Sequence, residues 1–219
     1  MTVCPAQRDD PPDNRHGLGR GMEQFHHPRP VRIGRGDDCR PTWQRDRLLR
    51  ALGGTVLEIG AGDGVKLTCY PAEVDEIVLV EPDPFLRATA RIASAACATP
   101  SRILDGDPAR LPVPDASYDA VVCSLILCCT PQLETTLAEV RRVLRRGGEL
   151  RFYEHQRSDL PAVALAQSVV TPLWSRVSGG CHLSRDIVTA IRRAGFIVER
   201  LDRFTFCHVT HTIGAARRA

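Results

Sequence analysis

Val56-Leu57-Glu58-Ile59-Gly60-Ala61-Gly62-Asp63-Gly64 decides the fold. A short apolar run ends abruptly in three glycines at alternate positions, the pattern of a buried strand running into a tight turn. Ile77-Val78-Leu79-Val80 repeats the apolar run about twenty residues later, and Ala120–Cys123 and Leu150–Tyr153 follow. The intervals between these runs are expected to be helical. Asp83 and Pro84 form an N-cap and first-turn pair ahead of an alanine-rich stretch to Ala98. Thr130 and Pro131 are expected to open a second helix, with Leu133, Leu137, Val140 and Leu144 at helical spacing and Gly147-Gly148 as its stop. Ser184 is expected to cap a third helix that runs to Ala194, after which Gly195 releases Phe196-Ile197-Val198 as strand. Strand and helix alternate, so the expected fold class is α/β. The crossovers this implies make the expected sheet mostly parallel, with helices on both faces.

The chain of 219 residues carries 29 Lys+Arg against 26 Asp+Glu, a net charge of +3. Residues 1–50 hold ten arginines and seven acids, so the rest is electroneutral. Only Lys66 is a lysine. The arginines are scattered and aromatics are few, which argues against a nucleic-acid footprint. No apolar run approaches the ~20 residues that span a bilayer, so no membrane span is expected. Nine cysteines in a chain of this length read as free thiols, and the expected location is cytoplasmic. The first fifty residues include just 13 apolar ones, so residues 1–40 are expected to form a flexible Arg/Pro/Gly-rich tail before a domain at 41–219. A short helix is expected near Trp43–Leu52.

The glycine loop departs from the dinucleotide pattern. Started at Gly60, a G-x-G-x-x-G dinucleotide fingerprint needs its third glycine where Val65 stands. The actual spacing, E-x-G-x-G-x-G, resembles motif I of the class I S-adenosylmethionine (SAM)-dependent methyltransferases. Glu81 ends the second strand 21 residues after Gly60, where a carboxylate can accept both hydroxyls of a ribose. Gly106–Asp119 is similar to the G-D-A-x-x-L-P-F-x-D-x-S-F-D stretch of the ubiquinone- and menaquinone-type (type 11) methyltransferases, and Val143–Gly148 to their V-L-[KR]-P-G-G. The resemblance implies a Rossmann-like, seven-stranded, mostly parallel sheet with the last strand antiparallel, SAM as cofactor and S-adenosylhomocysteine as product. It implies that Glu58, Gly60, Ala61, Gly62, Glu81, Pro82, Asp107, Pro108 and Ser124 form the cofactor site, with Asp107 accepting from the adenine amino group. Pro108 departs from the pattern. The family's residue there donates a backbone N–H to the adenine ring, and proline has none, so a weakened cofactor affinity is expected.

The last third bears on the methyl acceptor. Glu154-His155, Pro172-Leu173-Trp174, Gly179-Gly180-Cys181-His182-Leu183 and His211-Thr212-Ile213-Gly214 resemble the methyltransferase-like-seven proteins, which methylate small lipophilic thiols. This likeness spans about residues 54–216; the membrane-anchoring segment of that family has the polar Met1–Arg40 in its place. His155 is the candidate base or orienter, the alternative being a histidine that hydrogen-bonds the loop. Leu125, Trp174, Cys181, His182 and His211 are the candidate pocket residues. Cys128-Cys129, Cys181-His182 and Cys207-His208 lack C-x-x-C spacing, so no metal is expected and the thiols read as small apolar filler. The expected function is methyl transfer to a small molecule, foremost a thiol sulfur. O- or N-methylation of a biosynthetic intermediate, arsenite methylation and a non-catalytic SAM-binding module remain alternatives.

Overall fold

The computed structural model describes residues 43–206 and 209–219. Seven strands form one sheet: β1 (Gly54–Ile59), β2 (Val74–Val80), β3 (Ser101–Leu104), β4 (Tyr118–Ser124), β5 (Leu144–His155), β6 (Phe196–Phe206) and β7 (Val209–Arg218). Their spatial order is β3-β2-β1-β4-β5-β7-β6. The pairs β1–β2, β2–β3, β1–β4 and β4–β5 are parallel, while β7 runs antiparallel to both β5 and β6. Among the described residues, five α-helices accompany them: α1 (Trp43–Leu49), α2 (Pro84–Ala95), α3 (Leu133–Val143), α4 (Pro161–Val177) and α5 (Ile187–Arg193). The expected fold class is the observed one.

Apolar residues on both sides of each central strand make this sheet a middle layer. Leu57, Ile59, Val121, Cys123 and Phe152 pack with Leu137, Val140 and Ile191 of α3 and α5. Val56, Ile77, Leu79 and Val122 pack with Leu48, Leu49 and Leu67 on the other face. Each fully buried aliphatic side chain contributes roughly 1.5–3 kcal/mol, so the two cores specify which residue faces which layer.

Local readings fare unevenly. Asp83 caps α2 as expected, its carboxylate accepting from the N–H groups of Phe85 and Leu86, but the helix stops at Ala95. The next helix starts at Leu133 behind Gln132, not at Thr130; the Thr130 hydroxyl bonds that of Thr136 instead. It ends at Val143, before the two glycines, because Leu144 already pairs with Tyr118 in the β4–β5 ladder. Asp186, not Ser184, caps α5 through the N–H of Thr189, and Gly195 follows the helix at φ +86°. The expected tail at residues 1–40 and the Cys207-His208 pair lie outside the described residues.

The strand order reverses between β1 and β4, and the crevice at the carboxyl ends of those strands is where such sheets take ligands.

Candidate functional site

The glycine loop leaves the end of β1 in backbone conformations that side chains resist. Gly60 has φ +67° and Gly62 φ +62°. A Cβ on Gly60 would stand 2.9 Å from Cδ1 of Ile126, whereas one on Gly62 would meet nothing within 4 Å. The first glycine therefore lets β1 and the segment after β4 approach; the second leaves open ground above the loop. The N–H of Gly60 donates to the Val80 carbonyl at 2.9 Å, and that of Ala61, itself buried, reaches the same oxygen at 3.4 Å.

Glu81 sits at the tip of β2, 3% exposed. Its Oε2 accepts the Gly62 N–H at 2.8 Å and its Oε1 the Asp83 N–H at 3.0 Å. Burial pushes its carboxyl pKa up, against the two N–H donors that pull it down. Arg87 donates to the carbonyls of Glu81 and Pro82 at 2.9 and 2.6 Å, a clamp that no motif announced.

Glu58 is also buried, but the chain's own donors engage it. Lys66 Nζ lies 2.8 Å from Oε1 and the Tyr70 hydroxyl donates to Oε2 at 2.8 Å. The sole lysine is therefore a buried ion-pair partner, half of a tie between β1 and the turn at residues 66–70.

Asp107 and Pro108 begin a tight turn. The Asp107 carbonyl accepts from the Arg110 N–H at 2.9 Å and its Oδ1 from the Ala109 N–H at 2.8 Å. Pro108 supplies no donor at this point of the cradle. The open face over Gly62, the buried carboxylate of Glu81 and the carboxylate of Asp107 are a donor and acceptor set that fits a nucleoside with a cationic tail. A cleft of about 830 Å³ between α3 and α5, lined by Leu137, Arg141, Thr189 and Arg193, shares none of these residues.

The second half of the site lies at the ends of β4 and β5. After Ser124 the chain turns sharply at Leu125, which has φ +58° and donates its N–H to the Tyr153 carbonyl at 2.7 Å. Glu154, fully buried, organises the next three residues: Oε1 accepts from the N–H groups of Ile126 (3.1 Å) and Leu127 (3.0 Å), and Oε2 from Cys128 (3.0 Å). Burial raises its pKa despite those donors.

The adjacent His155 does not stand alone. Its Nδ1 is 2.9 Å from Cys181 Sγ and 3.4 Å from Cys128 Sγ. Cys128 Sγ is in turn 3.5 Å from Cys129 Sγ and 3.8 Å from Cys181 Sγ. Hydrogen bonds from Cys128 and Cys129, with help from His155, hold Cys181 well below the thiol range, while burial pushes Cys128 far above it. The β5–β7 register sets His155 opposite His211, with ring centroids 4.7 Å apart. His211 also stacks on Tyr153 and Phe204, and burial lowers its pKa.

Of the other candidate pocket residues, His182 ties its N–H to the Cys128 carbonyl at 2.9 Å. Trp174 packs on the core, with a buried Nε1–H that has no acceptor among the described residues. Leu125, 37% exposed, stands at the rim. The fold thus gathers His155, Cys181, His182 and His211 from three separate segments. Sequence spacing did not reveal Glu154 as the anchor of the 126–128 turn, because a buried carboxylate and a surface one look alike in a string.

Comparison with known proteins places these observations. Residues 57–152 match a family model described as a methyltransferase domain. The thiol S-methyltransferase TMT1B of Rattus norvegicus is 33% identical over 152 residues, covering 68% of this chain and 62% of the relative. This chain thus spans less than two thirds of that relative's length. The ubiquinone/menaquinone biosynthesis C-methyltransferase UbiE of Methylobacterium nodulans is 31% identical over 116 residues, 49% of this chain and 46% of the relative. Among solved structures, an S-adenosylmethionine-dependent methyltransferase from Mesorhizobium loti superposes with a TM-score of 0.62 at 17% identity, covering 80% of this chain and 95% of that one. The glycine loop, the carboxylate at the tip of β2, the strand order and these likenesses converge on a SAM-dependent methyltransferase domain over residues 57–152.

Proposed function

We propose that this chain transfers the methyl group of SAM to the sulfur of a small lipophilic thiol. What supports the reading is that the motifs shared with thiol methyltransferases, scattered between residues 154 and 214, converge beside the ends of β4 and β5. His155 meets Cys181 on one side and His211 on the other. Lipophilic access has its own support. α4, which borders this region through Trp174, leaves Leu165, Val169, Leu173 and Val177 exposed.

When bound, SAM supplies a methyl group on a positively charged sulfur, ready for in-line displacement. The chain's own residues have three tasks. Glu81 accepts the ribose hydroxyls, and the Asp107 carboxylate accepts from the adenine amino group. Gly62 keeps the loop surface low enough for close approach. The region beyond β4 and β5 aligns the acceptor and excludes water, the contribution that matters most in a displacement between pre-positioned partners. An acceptor thiol with a pKa near ~8.5 needs little help in losing its proton to solvent. We therefore assign His155, whose Nδ1 faces two sulfurs, to shaping the acceptor wall.

The test is a panel of thiols, phenols and amines scored by S-adenosylhomocysteine release, with SAM affinity measured by calorimetry. Lipophilic thiols are expected to lead. Preference for a phenol or amine would overturn the sulfur assignment, and SAM binding without turnover on any acceptor would point to a binding module. Glu81→Ala should weaken SAM by about 100-fold or more, because two hydrogen bonds to a charged acceptor are worth ~1.5–3 kcal/mol each. Native affinity in that variant would remove the ribose assignment.

A further inference from the structure

The three sulfurs and one imidazole nitrogen at the ends of β4 and β5 form a figure that small-residue filling does not call for. The ligand atoms of Cys128, Cys129 and Cys181 lie within 4.8 Å of one another, and all three residues are buried. A tetrahedral zinc site, with Zn–S near ~2.3 Å and Zn–N near ~2.0–2.1 Å, has S···S edges of about 3.8 Å and S···N edges of about 3.6 Å. Four of the six edges are 3.5 and 3.8 Å between sulfurs and 2.9 and 3.4 Å from His155 Nδ1 to the sulfurs of Cys181 and Cys128, at or below the tetrahedral values. We propose that Cys128, Cys129, Cys181 and His155 form a binding site for a thiophilic divalent cation of the Zn²⁺ type.

The surroundings suit that role. The turn that carries the vicinal cysteines is closed by the Cys129 N–H on the Ile126 carbonyl and tied to the Cys181 segment by His182 N–H on the Cys128 carbonyl. Glu154 fixes the same turn from below through three N–H groups. The ligand positions are thus held by backbone geometry before any ion arrives. Three thiolates, one neutral imidazole and a dication leave a net charge of −1. With the Glu154 carboxylate the turn would carry −2, and the Arg185 guanidinium, which donates to the Leu127 and Thr130 carbonyls at 3.0 and 2.5 Å, offsets one of these charges. Each coordinating thiol gives its proton to the buffer, and no oxidant or reductant is involved. Three cysteine thiolates, with His155 as the fourth ligand, would close the coordination sphere in the arrangement of a structural site. The ion would pin the end of β4, the end of β5 and the turn before α5 to one another. Linear spacing hides this set because its members lie 26 and 53 residues apart, joined only across the sheet.

The inference does not depend on methyl transfer, although His155 and Cys181 also border the proposed acceptor wall, and its test reads metal. Full-length protein, reduced and stripped of metal, is titrated with Co²⁺ and then with Zn²⁺. One equivalent of Co²⁺ should bring the visible bands of tetrahedral cobalt and a thiolate-to-cobalt band in the near ultraviolet, and one equivalent of Zn²⁺ should abolish both. X-ray absorption on the zinc-loaded wild-type protein should count three sulfurs and one nitrogen. Cys128→Ser and Cys181→Ser should each cost more than the ~10–100-fold in affinity typical of an outer-shell change. Cys97→Ser, whose thiol faces the Leu67 carbonyl elsewhere in the fold, should leave Co²⁺ affinity unchanged. Calorimetric SAM binding in the same samples reports folding. The wild-type measurements decide the matter even if a variant does not fold. Absence of the tetrahedral spectrum, a shell with fewer than three sulfurs, uptake of arsenite but of neither cation, or a Cys128–Cys181 disulfide that persists under reductant would each overturn the proposal.

Discussion

Glu154→Gln is the most demanding perturbation, because it alters one atom and tests how a whole turn is held. The carboxylate is fully buried and accepts three backbone N–H groups, two on Oε1 and one on Oε2, at 3.0–3.1 Å. A glutamine can keep its oxygen toward Ile126 and Leu127, but its amide NH₂ then faces the Cys128 N–H, donor against donor. The loss comprises one charge-assisted bond, ~1.5–3 kcal/mol, and part of the charge assistance on the other two. Removing a charge whose burial raises its pKa returns some of this. The net expectation is a destabilisation of about 2–3 kcal/mol, a large fraction of the ~5–15 kcal/mol that typically holds a domain. For a chain of this size that corresponds to a fall in Tm of roughly 4–12 °C. Urea unfolding followed by circular dichroism measures it as a lower midpoint at unchanged slope. Glu154→Ala goes further by leaving all three donors without an acceptor, and should exceed the glutamine variant by about 2 kcal/mol or more. If alanine and glutamine cost the same, or if glutamine costs less than ~1 kcal/mol, the three-donor account is wrong.

Gly62→Ala should separate stability from binding. At φ +62° with open space around the new Cβ, the backbone strain costs ~1–2 kcal/mol, while SAM affinity should fall far more steeply. A change in Kd of twofold or less would refute the cradle. Pro108→Ala adds the missing N–H and should tighten SAM by up to about tenfold, the worth of one hydrogen bond; calorimetry showing unchanged or weaker binding would contradict this. Burial lowers the pKa of His211, as it does that of His182, so the unfolded chain binds more protons than the folded one just below pH ~6.5. Stability should therefore be full above that pH and decline as pH falls through it. His211→Phe, which retains the stack on Tyr153 and Phe204, should flatten the decline between pH 7 and 5.5, and an equal slope would refute the assignment.

What was legible in the chain followed from local physics. Apolar runs such as Val56–Ile59 and Ile77–Val80 announce strands buried on both faces, and Asp83-Pro84 announces a helix start, because each signal is complete within a few residues. β3 and β7 are harder to see. Ser101–Leu104 is a half-buried edge, and Val209–Arg218 draws its strand character from pairing with β5 and β6, not from an apolar run. α5 begins at Asp186 because that carboxylate also accepts from Gln156 Nε2 at the end of β5, a tertiary tie invisible to a capping rule.

The same division runs through the site. The glycine spacing after β1, the acid 21 residues on and the G-D-P turn each lie within one short segment, which is why the motifs behind the proposed SAM cradle can be picked out in the chain. Even on the cofactor side, the single lysine took its meaning only when Glu58 appeared 2.8 Å from it. The acceptor side is different. Glu154 became an anchor only when three N–H groups closed on it, and four soft ligands became one site only when β4, β5 and the turn before α5 met. Chain order carries contacts between near neighbours; contacts across a sheet exist only once burial has selected which strands lie side by side.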